Sequence, residues 1–168
     1  CLPKDSPSLS ERFLNLCTAL LHTGDISSAK EALKQAEEHI TDDHRDLLTH
    51  IKAAFLVNIG NFKEAADCLR RSNRVLSNNA VDLNNLAVCV EHLGRINEAY
   101  EYQLRAQKAA ITNGVLPIQV MSLVNCGSMK TKLGDMRLAE QFLGEALSRI
   151  EGLLKRDKLL NPAGLVEG

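Results

Sequence analysis

Apolar residues recur at helical spacing along most of this chain. Leu83, Leu86, Ala87 and Val90 fall within one arc of about 100° when each residue advances about 100°. Phe13, Leu16, Cys17 and Leu20 form a second such stripe, and Leu123, Cys126, Gly127 and Lys130 a third. Each stripe stops shortly before a glycine, and the glycines share a downstream pattern. Gly24 is followed at +5 and +12 by Ala29 and Ala36, Gly60 by Ala65 and Ser72, Gly94 by Ala99 and Ala106, and Gly134 by Ala139 and Ala146. From Gly24 to Gly60, Gly94 and Gly134 the steps are 36, 34 and 40 residues. Such a period is the mark of a helical repeat.

The elements follow from the chemistry of each triplet. A glycine ends one helix, where a left-handed residue is needed. Asp25, Asn61 and Asp135 stand next to cap the helix that follows. Asn61 with Glu64, and Ser8 with Glu11, have capping-box spacing. Small residues seven apart lie on one helix face and let two helices approach closely. Each unit is therefore predicted as helix A, a tight turn and helix B. In the second unit Lys52 falls where an apolar residue is expected, so Ile51 and Phe55 are read as defining a slipped helix. The long connection at 111–119 ends one helix at Asn113 and Gly114 and starts the next near Pro117. The last helix is predicted over 138–160, with no polar helix after it. An uncapped solenoid end exposes an apolar face, so either further repeats follow or this end self-associates.

These positions resemble the tetratricopeptide repeat, whose W-x2-L-G-x2-Y spacing is matched by Leu83, Leu86, Ala87 and Val90 and by the two companion stripes. Its A-x3-F pair corresponds to Ala29/Leu33, Ala65/Leu69 and Ala139/Leu143. Gln103 stands where the third unit should have a large apolar residue, and the usual Pro at the unit end is missing. The elongated units and the string LNNLA are similar to kinesin-light-chain repeats. The resemblance implies an all-α, right-handed superhelical solenoid of about four repeats over 8–160. The units are expected at about 10–43, 46–79, 80–113 and 120–153, with tails at 1–7 and 161–168.

In that family the helix-A arc beside the packing stripe lines a concave groove. The resemblance places Asn15, Thr18 and His22 there from the first unit, and His50, Ala54 and Asn58 from the second. Asn84, Asn85, Val88 and His92 follow from the third, and Val124, Asn125, Ser128 and Lys132 from the fourth. Asn15, Asn85 and Asn125 share one register. An amide both donates and accepts, so a row of amides can pair with the backbone of an extended peptide. The plainer role for each is a bond to a neighbouring repeat or to water. The family's carboxylate clamp uses Lys and Arg in the groove. Here Leu14, His50, Asn84, Asn85 and Asn125 occupy those places and only Lys132 is cationic, which argues against a clamp.

Composition narrows the classes. The 168 residues are 45% hydrophobic and 24% charged, with a net charge of −1, which draws the chain toward neither nucleic acid nor an anionic membrane. No apolar run is long enough to insert in a membrane. Cys17, Cys68, Cys89 and Cys126 sit in apolar runs without a CxxC, as free thiols in a reducing, cytoplasmic setting would. The start at Cys1 reads as an excised fragment, the alternative being a bacterial lipoprotein acylated there. His39 and His44 cluster with Asp42 and Asp43 without zinc-ligand spacing. No phosphate loop, HExxH or nucleophile elbow is present, so no enzyme activity, metal or cofactor is expected. The leading expectation is a protein or peptide partner held in the groove. The alternatives are a scaffold segment docking through its convex face or open end, and a regulatory domain of an enzyme encoded elsewhere in a parent chain.

Overall fold

The computed structural model describes residues 8–160, apart from the side chains of residues 73 and 156–160. The predicted tails lie outside that range. The protein is an all-α helical-repeat solenoid, with no strand among the described residues. Its helices are α1 (Leu9–Thr23), α2 (Ile26–Glu38), α3 (Arg45–Asn58), α4 (Phe62–Arg70), α5 (Asn73–Leu76), α6 (Ala80–His92), α7 (Ile96–Thr112), α8 (Leu116–Lys132) and α9 (Met136–Leu160), with a 3-10 turn at Asp42–His44. Antiparallel pairs α1/α2, α3/α4, α6/α7 and α8/α9 stack in chain order.

The turns repeat one geometry. Gly24 and Gly60 have φ of 79° and 77°, which other residues adopt only with strain. The residue after each glycine donates its N–H to a carbonyl five back: Asp25 to Leu20 at 3.0 Å, Asn61 to Leu56 at 2.8 Å. Arg95, Asp135 and, in the α7–α8 connection, Val115 do the same, and this six-to-one bond satisfies a carbonyl the helix would orphan. Caps form where the sequence places them. Asp25 Oδ1 accepts from the Ser28 N–H at 3.0 Å, and that bond draws the Asp25 carboxyl below its ordinary range. Asp135 Oδ1 accepts from Leu138 at 3.2 Å. The box at Asn61 closes through its own amide, which donates to Glu64 Oε2 at 2.7 Å. Ser8 caps α1 by accepting from the Glu11 N–H, while the Glu11 carboxylate instead lies 3.8 Å from His44 Nε2.

All eight small residues at +5 and +12 are buried: Ala29, Ala36, Ala65, Ser72, Ala99, Ala106, Ala139 and Ala146. The helix-A position seven before each turn glycine is equally closed, at Cys17, Ala53, Ala87 and Gly127. A Cβ at Gly127 would lie 2.8 Å from Leu143 Cγ, so a larger residue there would have to displace the Leu143 side chain. The helix of the second unit is not slipped. Ala53 and Leu56 hold the common register, and Lys52 stays partly exposed by reaching back to Glu37 of α2 at 2.7 Å, a contact that raises its pKa. That unit departs elsewhere. Ser72 Oγ accepts the Arg74 N–H at 3.1 Å, so helix B breaks there and restarts as α5.

Cys17, Cys68, Cys89 and Cys126 are all free. Burial pushes Cys89 up to about 11 and Cys126 up to about 12. Cys17 is raised by the same cause, and Cys68, though also raised, is only half-buried. A raised value leaves less thiolate, the reactive form. Among these four, iodoacetamide at about pH 8 is expected to label Cys68 first, with Cys89 and Cys126 protected until urea is added. Peptide mapping checks the order.

Candidate functional site

The helix-A surface sorts by its distance from each turn glycine. Two residues before the glycine, His22, Asn58, His92 and Lys132 are all exposed. Six before it, Thr18, Ala54 and Val88 are half-buried and Ser128 is exposed. Three successive helices A, α1, α3 and α6, enclose a depression of about 370 Å³ on this face. Thr18, Leu21 and His22 line it from α1, His50, Ile51, Ala54 and Asn58 from α3, and Val81 and Asn85 from α6. The sequence-derived groove residues Thr18, His22, His50, Ala54, Asn58 and Asn85 are thus brought together. A larger depression of about 620 Å³ between α2 and α3 is walled by Lys30, Glu31, Lys34, Glu37 and Lys52. Two of its lysines are paired, Lys52 with Glu37 and Lys34 with Glu38.

The polar groups of the smaller depression are held from within. Thr18 Oγ1 donates to Leu14 O at 3.0 Å, and Asn58 Nδ2 donates to Ala54 O at 2.9 Å. His50 Nδ1 bonds Asp82 Oδ1 of α6 beneath the surface. Arg74 Nε donates to the other oxygen, Asp82 Oδ2, at 2.8 Å. Asp82 is fully buried, and its own N–H is capped by Asn79 Oδ1 at 3.2 Å. A buried charge persists only when paired and hydrogen-bonded, as here.

Asn84 does not face the groove. It is 3% exposed, and its Oδ1 accepts from Gln103 Nε2 at 2.9 Å and from Asn125 Nδ2 at 3.2 Å. In the first three units the position ten before the turn glycine reaches toward the next helix A. Leu14 is buried there in α1, His50 reaches Asp82 from α3, and Asn84 reaches Asn125 from α6. Val124, in the last unit, has no following helix A among the described residues and is 42% exposed. Leu16 shows the converse at the other end. Its counterparts Leu86 and Cys126 are buried against the preceding unit, whereas Leu16 is 48% exposed and leaves the packing stripe. Gln103, the missing large apolar residue, is fully buried and supplies the amide that Asn84 needs.

The remaining sequence candidates are spread out. Asn15 is exposed beside the depression rather than in its lining. His92 stacks on Phe62 with ring centroids 3.9 Å apart. Lys132 Nζ bonds Glu91 Oε1 at 2.7 Å, so the one groove cation is neutralised across a repeat junction. Sequence reasoning missed Asp82 and Arg74. The available signal was a carboxylate between two apolar residues, Val81 and Leu83. No group of three or more His, Cys, Asp or Glu side chains among the described residues is placed to hold a metal ion. No described helix is long and apolar enough to cross a membrane.

No family model matches this chain, and no curated protein matches its sequence. Solved structures share its fold. The crystal structure of MamA superposes with a TM-score of 0.69 at 20% identity, covering 90% of this chain and 84% of that one. MamA 41-end from Desulfovibrio magneticus RS-1 gives 0.69 at 15% identity, over 85% of this chain and 76% of that one. At these identities the likeness is one of fold.

Proposed function

We propose that this chain is a protein-interaction module of the tetratricopeptide-repeat type, holding a segment of a partner protein in its concave groove without catalysis. The observation that carries this reading is the depression shared by α1, α3 and α6. Three consecutive repeats contribute helix-A residues to one surface, and that surface mixes aliphatic walls with polar groups. Pockets of this kind take side chains of an extended segment. Free, buried thiols support a reducing compartment. In the test, Ala54→Arg fills the depression and Glu101→Lys, on an exposed helix-B position, serves as control. Ala54→Arg is expected to abolish capture of a partner that wild type and control retain, with a melting temperature within about 2 °C of wild type. Capture that survives Ala54→Arg would sink the groove reading.

A second reading has its own support. Leu143, Leu147, Ile150 and Leu154 are exposed at spacings of four, three and four along α9. This is the seam of a helix that packs against another helix. Under this reading the chain is a segment of a scaffold that docks or self-associates through α9. Sedimentation is then expected to show dimers at high concentration that Leu147→Glu/Leu154→Glu dissociates. A monomer at all concentrations counts against it.

A further inference from the structure

The polar groups lining the groove depression are not a neutral mixture. Asp82 is fully buried and its Oδ2 accepts from Arg74 Nε, and a carboxylate paired with a guanidinium acts as an acceptor. The proton in its bond with His50 therefore sits on His50 Nδ1. In the neutral imidazole this leaves Nε2 as a bare acceptor on a ring that is 21% exposed at the depression. Thr18 spends its single hydroxyl proton on Leu14 O and keeps its lone pairs. Asn58 commits an amide proton to Ala54 O and keeps its Oδ1. His50 and Thr18 thus present acceptors, Asn58 keeps its Oδ1 beside one free N–H, and His22 and Asn85 can present either kind of group. No Lys or Arg lines the depression, and Leu21, Ile51, Ala54 and Val81 form aliphatic walls.

Resting on the groove reading above, we propose that this depression selects a cationic side chain, Lys or Arg, of the bound segment. Its methylene stem packs on Leu21, Ile51 and Val81, as such stems do on apolar surface. Its ammonium or guanidinium, which only donates, meets His50 Nε2, Thr18 Oγ1 and Asn58 Oδ1. A carboxylate would meet the lone pairs of His50 Nε2, Thr18 Oγ1 and Asn58 Oδ1, and would recover less of its lost hydration than a cation.

The test uses the isotopically labelled chain and four blocked pentapeptides, Ala-Ala-X-Ala-Ala, with X as Lys, Arg, Gln or Glu. Ring-nitrogen NMR is expected to show His50 protonated on Nδ1 and bare on Nε2. Titration is expected to move the His50 ring and the Asn58 and Asn85 amide resonances, with the Lys and Arg peptides binding roughly tenfold more tightly than the Glu peptide. In His50→Phe that preference is expected to disappear. A proton on Nε2, equal or tighter binding of the Glu peptide, or a preference that survives His50→Phe overturns the proposal. Should the Glu peptide move the same resonances, the groove reading stands and only the cation preference falls. Silence with all four peptides, while Ala54→Arg still abolishes partner capture, likewise removes only this proposal. Silence with capture unaffected by Ala54→Arg removes both.

Discussion

Asp82→Ala is expected to destabilise the protein by about 3 kcal/mol, toward the lower end of the range for breaking a buried ion pair. Asp82 is closed to solvent, and its two oxygens hold His50 and Arg74. Its removal strips both partners at once. Arg74 and His50 retain side-chain exposures of 31% and 21%, so water recovers part of the loss, which is why the upper end of the range is not reached. The carboxylate also sits in the first turn of α6, where the helix dipole favours it. At this chain length the melting temperature should fall by roughly 10 °C. Urea titration of the wild type, Asp82→Ala and Asp82→Asn checks the size and origin of the effect. Asp82→Asn keeps the shape and loses the charge, so a loss close to that of Ala assigns the stabilisation to ionisation. A change under about 1 kcal/mol for Asp82→Ala would show that the carboxylate is not bonded as described.

Asn84→Ala should cost a similar amount, about 2–4 kcal/mol, by a different route. The Asn84 oxygen is the only acceptor recorded for Gln103 Nε2 and Asn125 Nδ2 among the described residues. Gln103 is fully buried, and its Oε1 already lacks a partner. Truncating Asn84 strands the whole Gln103 amide in an apolar setting and leaves a small void beside it. The double variant Asn84→Leu/Gln103→Leu removes donor and acceptor together. It is expected to recover most of the loss, because an absent pair is far less damaging than half of one. Chemical denaturation of the two single variants and the double gives the coupling directly. A double variant that loses as much as the two singles combined would refute a shared network.

The helix pairs, turns and caps were legible because they depend on local chemistry. Glycine at a left-handed turn, an acid or amide one residue later and alanines seven apart each act over a few residues. That Thr18, His22, His50, Ala54, Asn58 and Asn85 fall on one face was legible, because it depends only on helical phase. What was not legible depends on neighbours. Phase alone puts Asn84 beside Asn85 on the groove side. The structure turns it inward because Gln103, 19 residues later, vacates an apolar site and supplies an amide. Leu16 looks like core, yet no described residue covers it as Leu86 and Cys126 are covered. His50 looks like a lone surface imidazole until Asp82, 32 residues away, arrives beneath it. Pairings across such separations leave no mark in a periodicity.

The inward position ten before the turn glycine in the first three units has a consequence for the order of the units. The first junction is sealed by Leu14, the second by His50 with Asp82, and the third by Asn84 with Asn125. These are an oily, an ionic and an amide joint, and none fits another's partner. Transplanting the third unit to follow the first would set a leucine against Asp82. Duplicating the second would aim an imidazole at a surface with no carboxylate. The joints therefore work as a serial code. They fix the sequence in which the units are strung, and they reject the shuffling and copying that more uniform arrays tolerate.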